Sequence, residues 1–378
     1  MNRFEKIWNW VFPEGKKRVH SLDVLRAMAI LSVIFYHLPK NDHQIVIRAL
    51  THFGNLGVDL FFVLSGFLIG GQLFTQSKST NPISIKSFYL RRFLRTLPNY
   101  YFILLVNIFV FGISNYDWRY LFFAQNFGGL YQFTHSWSLC IEEHFYLFFP
   151  LIVSFLHKKN KLHKFPFVVL SVLIISFLWR VSFWLTGRPD LIYAQNVSNG
   201  YEYFFKFIFY PSIGRLDGIA LGTLVAYTKI YNPKLWERII TKSSLLLTGG
   251  ILFLIALIPF IYLKVGWFNV FFGFPLIAVA FTLILLSAVG NNSLLEKIKI
   301  PGLTTTSMLS YSLYLTHSLA IGMVHQLYND QKGAGAGIIK YLLMMTLTFI
   351  FAIALYLLIE RPFLLLRHKL MSARQKNT

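Results

Sequence analysis

A single cysteine, Cys140, stands among 378 residues, so no disulfide within the chain can hold the fold. Charge is scarce as well: 13% of residues are Asp, Glu, Lys or Arg, with 15 acids against 36 Lys and Arg. Signatures of several soluble chemistries are missing. There is no GxxxxGKS or GxxxxGKT phosphate loop, no GxGxxG dinucleotide fingerprint and no HExxH zinc helix. A GxSxG nucleophile elbow is missing too. No i,i+3 or i,i+4 His pair falls within an apolar run, which argues against a metal site. Internal repeats, low-complexity tracts and ten-residue alternating strands are not seen, the last arguing against a membrane barrel. A cleavable leader is not expected, because residues 1–18 are too polar and the first apolar run lacks a small-residue cleavage site.

What is abundant is hydrophobicity. Apolar residues make up 55% of the chain, and many runs reach 18 to 25 residues, the length that crosses hydrocarbon. The pattern predicts an all-α polytopic membrane protein with about ten transmembrane helices. These spans are expected near 21–38, 55–74, 94–112, 139–156, 165–186, 205–228, 244–263, 269–287, 304–325 and 341–364. They form one transmembrane domain over 21–364, preceded by an interfacial segment at 1–20 and followed by a basic tail at 365–378. Trp8, Trp10 and Phe12 among Lys and Arg suggest a short interfacial helix in the first segment.

The net charge of +21 would suit nucleic acid, but the cations lie in short loops between apolar runs, so the partner read from them is the lipid bilayer. With the N-terminus in the cytosol, inner segments carry 25 Lys and Arg and outer loops carry 8. Both termini are therefore expected to be cytoplasmic.

Ionisable residues inside spans are costly and mark function or pairing. On this topology they sort into two layers. Arg26, Arg91, Arg92, Arg95, Glu360 and Arg361 fall near the inner face. His37, Asp59, Glu142, Glu143, Arg180, Arg215, Asp217 and His317 fall toward the outer half.

Arg26 and His37 are eleven residues apart on one predicted helix, about three turns, so they share a face about 16 Å apart along the axis. An imidazole there fits a general base as well as an interfacial histidine. Arg92 and Arg95, three apart, fit either snorkelling inner-face arginines or a clamp for an anionic group. In HSWSLCIEEHFYLFFP, Ser138 fits a helix cap with Glu142 and Glu143 near the positive helix end. The alternative gives one carboxylate the task of orienting His37 and the other an acceptor hydroxyl. Tyr146 stands at hydrogen-bonding spacing from Glu142.

Gly214, Gly218 and Gly222 form a small-residue stripe suited to close helix packing. Arg215 and Asp217, two apart, face different directions and should pair with other helices. Ser310, Tyr314 and His317 share a face, either as an interhelical hydrogen-bond network or as a substrate-contacting row.

Seven strings in order, LDVLRAMAILSVIFYH, GVDLFFVLSGFLIG, FYLRRFLRTLPNYY, HSWSLCIEEHFYLFFP, GRLDGIALG, SYSLYLTH and the ERP at 360–362, resemble the acyltransferase 3 family of integral-membrane O-acyltransferases acting on bacterial surface polysaccharides. Residues 26 to 37 fit that family's Arg/Lys-x10-His pattern and residues 92 to 95 its RxxR pattern. Val24 departs from the usual glycine of LDGLRA without disturbing Arg26 or His37. The SGNH-hydrolase domain fused to some members is not expected, for want of chain length.

The resemblance implies a multi-pass protein of the bacterial inner membrane that moves an acyl group, usually acetyl, from cytosolic acyl-coenzyme A to a sugar hydroxyl. A lipopolysaccharide sugar is one such acceptor. It puts the essential residues at Arg26 and His37, supported by Arg92 and Arg95. From these follow the expected site sets. His37, Arg26, Glu142 and Glu143 act in catalysis; Arg26, Arg92 and Arg95 hold acetyl-CoA, a donor substrate rather than a resident cofactor. Asp59, Arg180, Arg215, Asp217, Tyr314 and His317 contact the glycan. A sugar or anion transporter is the rival reading, since broken helices and buried charges suit it too.

Overall fold

The computed structural model describes residues 18–39, 54–79, 83–112, 116–128, 133–262, 266–328 and 334–376. The interfacial helix expected in residues 1–20 falls almost wholly outside them. The described residues hold no strand and form fifteen α-helices. In chain order these are α1 His20–His37, α2 Leu56–Ser77, α3 Ile85–Phe111, α4 Trp137–Lys158, α5 Phe165–Gly187, α6 Pro189–Gln195, α7 Val197–Tyr203, α8 Asp217–Tyr231, α9 Pro233–Ile240, α10 Ser243–Tyr262, α11 Phe274–Ala288, α12 Leu303–Met308, α13 Ser310–Leu327, α14 Ala334–Leu355 and α15 Arg361–Lys376.

Seven of the described helical stretches are long and apolar enough to cross a bilayer: Leu56–Ser77, Ile85–Phe111, Thr134–Lys158, Leu162–Gly187, Ser243–Phe260, Asn269–Ala288 and Ile339–Ser372. Along α5, Phe167, Leu170, Ile174, Leu178 and Leu185 are exposed, an apolar surface that hydrocarbon covers and water would not. The chain is a multi-pass helical membrane protein.

Three of the ten expected spans differ from that set, each for a local reason. The first, α1, carries Asp23 and Arg26 among its 18 residues. The stretch expected as one helix over 205–228 is broken. A π-turn at Phe204–Phe209 gives way to Pro211, then a tight turn at Ser212–Arg215, before α8 begins. Proline has no N–H for the helix ladder, and its ring clashes with the preceding turn. The stretch expected over 304–325 is two helices, α12 and α13, meeting at Leu309. Elsewhere α3 starts at Ile85, so Arg91, Arg92 and Arg95 lie within a helix whose cap is Ser84, its Oγ accepting from the Ser87 N–H at 3.3 Å. The tail beyond 364 continues helically, α14 passing into α15 through a π-turn at Tyr356–Glu360.

The chain divides into two compact units. The first comprises residues 1–57, 90–103 and 294–378. Its core gathers on α1, where Val24, Leu25, Ala29, Ile30, Val33 and Ile34 are almost wholly buried. Close approach to α1 also explains Gly57: a Cβ there would run into the Ala29 carbonyl oxygen.

The second unit comprises residues 58–89 and 104–293. Here α2 and α8 touch backbone to backbone. A Cβ on Gly222 would collide with the Val63 carbonyl, and one on Gly66 with that of Ile219. A Cβ on Gly218 would meet the Phe62 Cβ at 3.1 Å. Gly218 and Gly222 on α8 are a packing surface, as their spacing implied, whereas Gly214 lies in the turn before α8 and approaches the Ile208 carbonyl and Trp179 instead.

Candidate functional site

In the first unit, α1 is unbroken from His20 to His37, so Arg26 and His37 stand on one side of one rod, about 16 Å apart. His37 is exposed at the helix end. Its Nδ1 lies 2.8 Å from the Val33 carbonyl. A carbonyl accepts only, so Nδ1 carries the proton and the neutral ring keeps its lone pair on Nε2. The His317 ring packs edge-on against it, with centroids 4.7 Å apart and planes at 63°. Tyr36 stands on another side at 5.1 Å.

His317 is fully buried on α13, and its Nδ1 likewise donates to a main-chain carbonyl, that of Tyr314, at 2.7 Å. Ser310, Tyr314 and His317 are all buried. The bond that fixes the His37 tautomer thus comes from its own helix backbone.

Toward the other end of α1, Asp23 is the centre of a charge network. Its carboxylate accepts from Arg18 Nε at 2.8 Å and Arg18 Nη2 at 2.7 Å, from Ser307 Oγ at 2.8 Å and from Arg26 Nη1 at 3.1 Å. One buried carboxylate therefore faces two guanidinium groups, leaving one positive charge in excess. Arg26 also feels the charge of Arg95.

A second buried carboxylate, Glu360, accepts from Ser312 Oγ at 2.6 Å and Asn99 Nδ2 at 3.1 Å. Arg95 and Arg367 lie within its electrostatic reach, and Arg367 in turn feels Arg91 and Arg95. Arg91 and Arg92 are half-buried and Arg95 is exposed. Arginines outnumber carboxylates here, an arrangement that favours an anion with several oxygens. Arg18, Asp23, Asn99, Ser307, Ser312 and Arg367 were not singled out from sequence. Only Asp23 carried a local signal, three residues before Arg26 on the same helix.

The second unit brings its four buried charges into two pairs. Arg215 donates to Asp59 at 2.8 Å, and Arg180 grips Asp217 with bonds of 2.7 and 3.2 Å. The Arg215 guanidinium also lies 4.1 Å from the Phe274 ring centre and 4.6 Å from that of Phe209.

These residues sit at the helix break, where main-chain carbonyls lose their ladder partners. Side chains replace them. Trp179 Nε1 donates to Phe207 O at 3.0 Å, Asn126 to Tyr210 O at 3.1 Å, Ser176 to Ile213 O at 2.7 Å and Arg180 to Gly214 O at 2.7 Å. Irregular backbone inside a membrane survives only with such partners.

Glu142 accepts from Ser65 Oγ at 2.5 Å and from the Tyr146 hydroxyl at 3.2 Å, the latter as its spacing implied. Ser138 is not the cap expected of it: α4 begins at Trp137, and its first turn holds no acid.

The fold and these networks define a class: a multi-pass helical membrane protein with an imidazole and an arginine on one helix, and further arginines brought near that arginine by other helices. Within that class the chain belongs to the acyltransferase 3 family, whose Acyltransferase domain profile matches residues 19–357. It is 33% identical to a Staphylococcus aureus strain COL protein named as an O-acetyltransferase, SACOL0978, over 91% of this chain and 57% of that one. It is 30% identical to the O-acetyltransferase OatA of Staphylococcus aureus strain NCTC 8325, over 95% of this chain and 58% of that one. The chain thus spans somewhat over half the length of these curated relatives. No solved structure matches it.

Proposed function

We propose that this protein is a membrane O-acyltransferase that moves an acyl group, acetyl first among candidates, from cytosolic acyl-CoA to a hydroxyl of a cell-surface or lipid-linked glycan. The observation that carries the reading is the His37 tautomer. With Nδ1–H fixed to Val33, the ring offers a basic Nε2 on the same rod as Arg26, which has Arg18 and Arg95 as neighbours from outside that helix. Family membership and the names of the relatives support acyl transfer to oxygen.

In this reading the ten-span topology places both termini in the cytosol. The donor's phosphates meet Arg26, Arg92 and Arg95, joined by Arg367. Paired guanidinium forks suit phosphate oxygens, and desolvated contacts of this kind are strong. The pantetheine arm lies along α1 and brings the thioester to His37.

His37 Nε2 takes the acceptor's hydroxyl proton as the oxygen attacks the thioester carbonyl. The C–S bond breaks, and the imidazolium returns the proton to the departing thiolate. General-base assistance of this kind is worth about 10²–10⁴-fold. His317 backs the ring from the buried side. The two ion pairs of the second unit hold the broken helix and take no chemical part.

The deciding experiment supplies isotope-labelled acetyl-CoA to membranes holding the protein, with surface glycan as acceptor. Label entering glycan as an alkali-labile ester supports the reading. Donor hydrolysis alone, or glycan crossing the membrane unlabelled, overturns it.

A further inference from the structure

The second unit contains a cavity of about 370 Å³ between α4, α5, α8 and the turn before α8. Phe145, Phe149, Phe165, Val169, Val172 and Ile219 are among the apolar residues of its wall. Its helices α4 and α5 are among the membrane-spanning ones, so the medium outside is hydrocarbon. Three lining residues are polar: His144, Ser212 and Thr223. Thr223 bonds its hydroxyl to the Ala220 carbonyl of its own helix at 2.7 Å, which leaves the other two.

His144 Nδ1 and Ser212 Oγ lie 2.8 Å apart, and Asn126 Nδ2 donates to the same Oγ at 2.9 Å. Both protons of the Asn126 amide are thus used, on Ser212 and on the Tyr210 carbonyl. Its Oδ1 is buried without a partner. His144 Nε2 has no hydrogen bond among the described residues. An apolar slot therefore ends in a polar cluster with capacity left over.

The wall also lacks charge: no Lys, Arg, Asp or Glu lines it. A phosphate or carboxylate head would enter without a counter-ion, which hydrocarbon makes costly. A hydroxyl head suits it, offering one donor and an acceptor to a site with both.

We propose that this cavity is a binding site for a neutral lipid alcohol, its hydrocarbon chain lying between α4, α5 and α8 and its hydroxyl held at His144 and Ser212. The site is independent of the acyl-transfer reading, since binding is measured without a donor.

The test is photolabelling of the purified full chain in lipid nanodiscs with a diazirine-bearing hexadecanol. Label is expected on peptides covering 144–152, 165–172 and 212–223, with the lipid-facing helix α10 as a reference for bulk lipid. Unlabelled hexadecanol should compete, and hexadecyl phosphate should compete far more weakly. Ser212→Ala should cut cavity labelling about fivefold, the loss of one neutral hydrogen bond, and leave α10 labelling unchanged. Val172→Trp, which fills the slot, should abolish it. Ser212→Ala removes a single oxygen and decides the matter if the bulkier variant does not fold. Cavity labelling that tracks α10 in every variant means bulk lipid only and overturns the proposal. Equal competition by the phosphate overturns it as well.

Discussion

His317 packs its ring against His37 at 4.7 Å, and each donates its Nδ1 proton to a carbonyl of its own helix. Both therefore keep a basic Nε2, but one ring is exposed and the other is sealed. His317 is thus read as a positioning residue that keeps the His37 ring in place and supports its cation from one side. His317→Asn preserves an Nδ1-like donor to Tyr314, whereas His317→Gln preserves an acceptor where Nε2 lies. If positioning runs through the ring face, both should lower kcat by up to about 100-fold with donor KM unchanged. Wild-type kcat in both variants would assign His317 to packing alone.

Replacing His37 itself should separate chemistry from binding. His37→Ala removes the base without touching the arginines, so transfer should fall by about 10²–10⁴-fold. Equilibrium binding of acetyl-CoA, followed by calorimetry on detergent-purified protein, should stay within a few-fold of wild type. Near-normal turnover in this variant would remove His37 from the mechanism.

The arginine cluster predicts the opposite division. Hydrogen bonds to charged groups contribute about 1.5–3 kcal/mol each, so Arg92→Ala, Arg95→Ala and Arg367→Ala should each weaken donor binding roughly tenfold or more. The turnover number at saturating donor should change little. Added salt should weaken wild-type binding more than binding in an Arg95→Ala and Arg367→Ala double variant, because fewer cations remain to screen. Unchanged donor KM in all three single variants would place the nucleotide elsewhere.

The spacing of Arg26 and His37 was readable because an uninterrupted helix has a fixed period, and α1 is uninterrupted. The Glu142–Tyr146 bond and the α8 glycine stripe were readable for the same reason. The break at Pro211 was not, since the run of Phe and Tyr before it and the apolar residues after it keep the stretch apolar enough to pass for one span. Nor was the company each charge keeps. Arg215 and Asp217 plainly needed partners on other helices, but nothing local names Asp59 and Arg180. The same holds for His37 and His317, which meet only because α1 and α13 pack together in the first unit. Arg367 was assigned to a basic tail because the last span was expected to end before it.

The Arg180–Asp217 pair gives a stability prediction that the chemistry cannot imitate. Both side chains are buried, and Arg180 additionally caps the Gly214 carbonyl at the helix break. Removing one partner strands a charge, which costs about 3–5 kcal/mol in buried pairs. Asp217→Ala should therefore lower the thermal unfolding midpoint in detergent and the yield of folded protein. Asp217→Asn, which keeps shape and some hydrogen bonding, should lower it less. Combining Arg180→Met with Asp217→Leu removes both charges but also the Gly214 bond. It should recover part of the Asp217→Ala loss without reaching wild type, as a non-additive double-mutant cycle. Equal midpoints for wild type and Asp217→Ala, with activity lost, would reverse the assignment and make Asp217 a substrate contact after all.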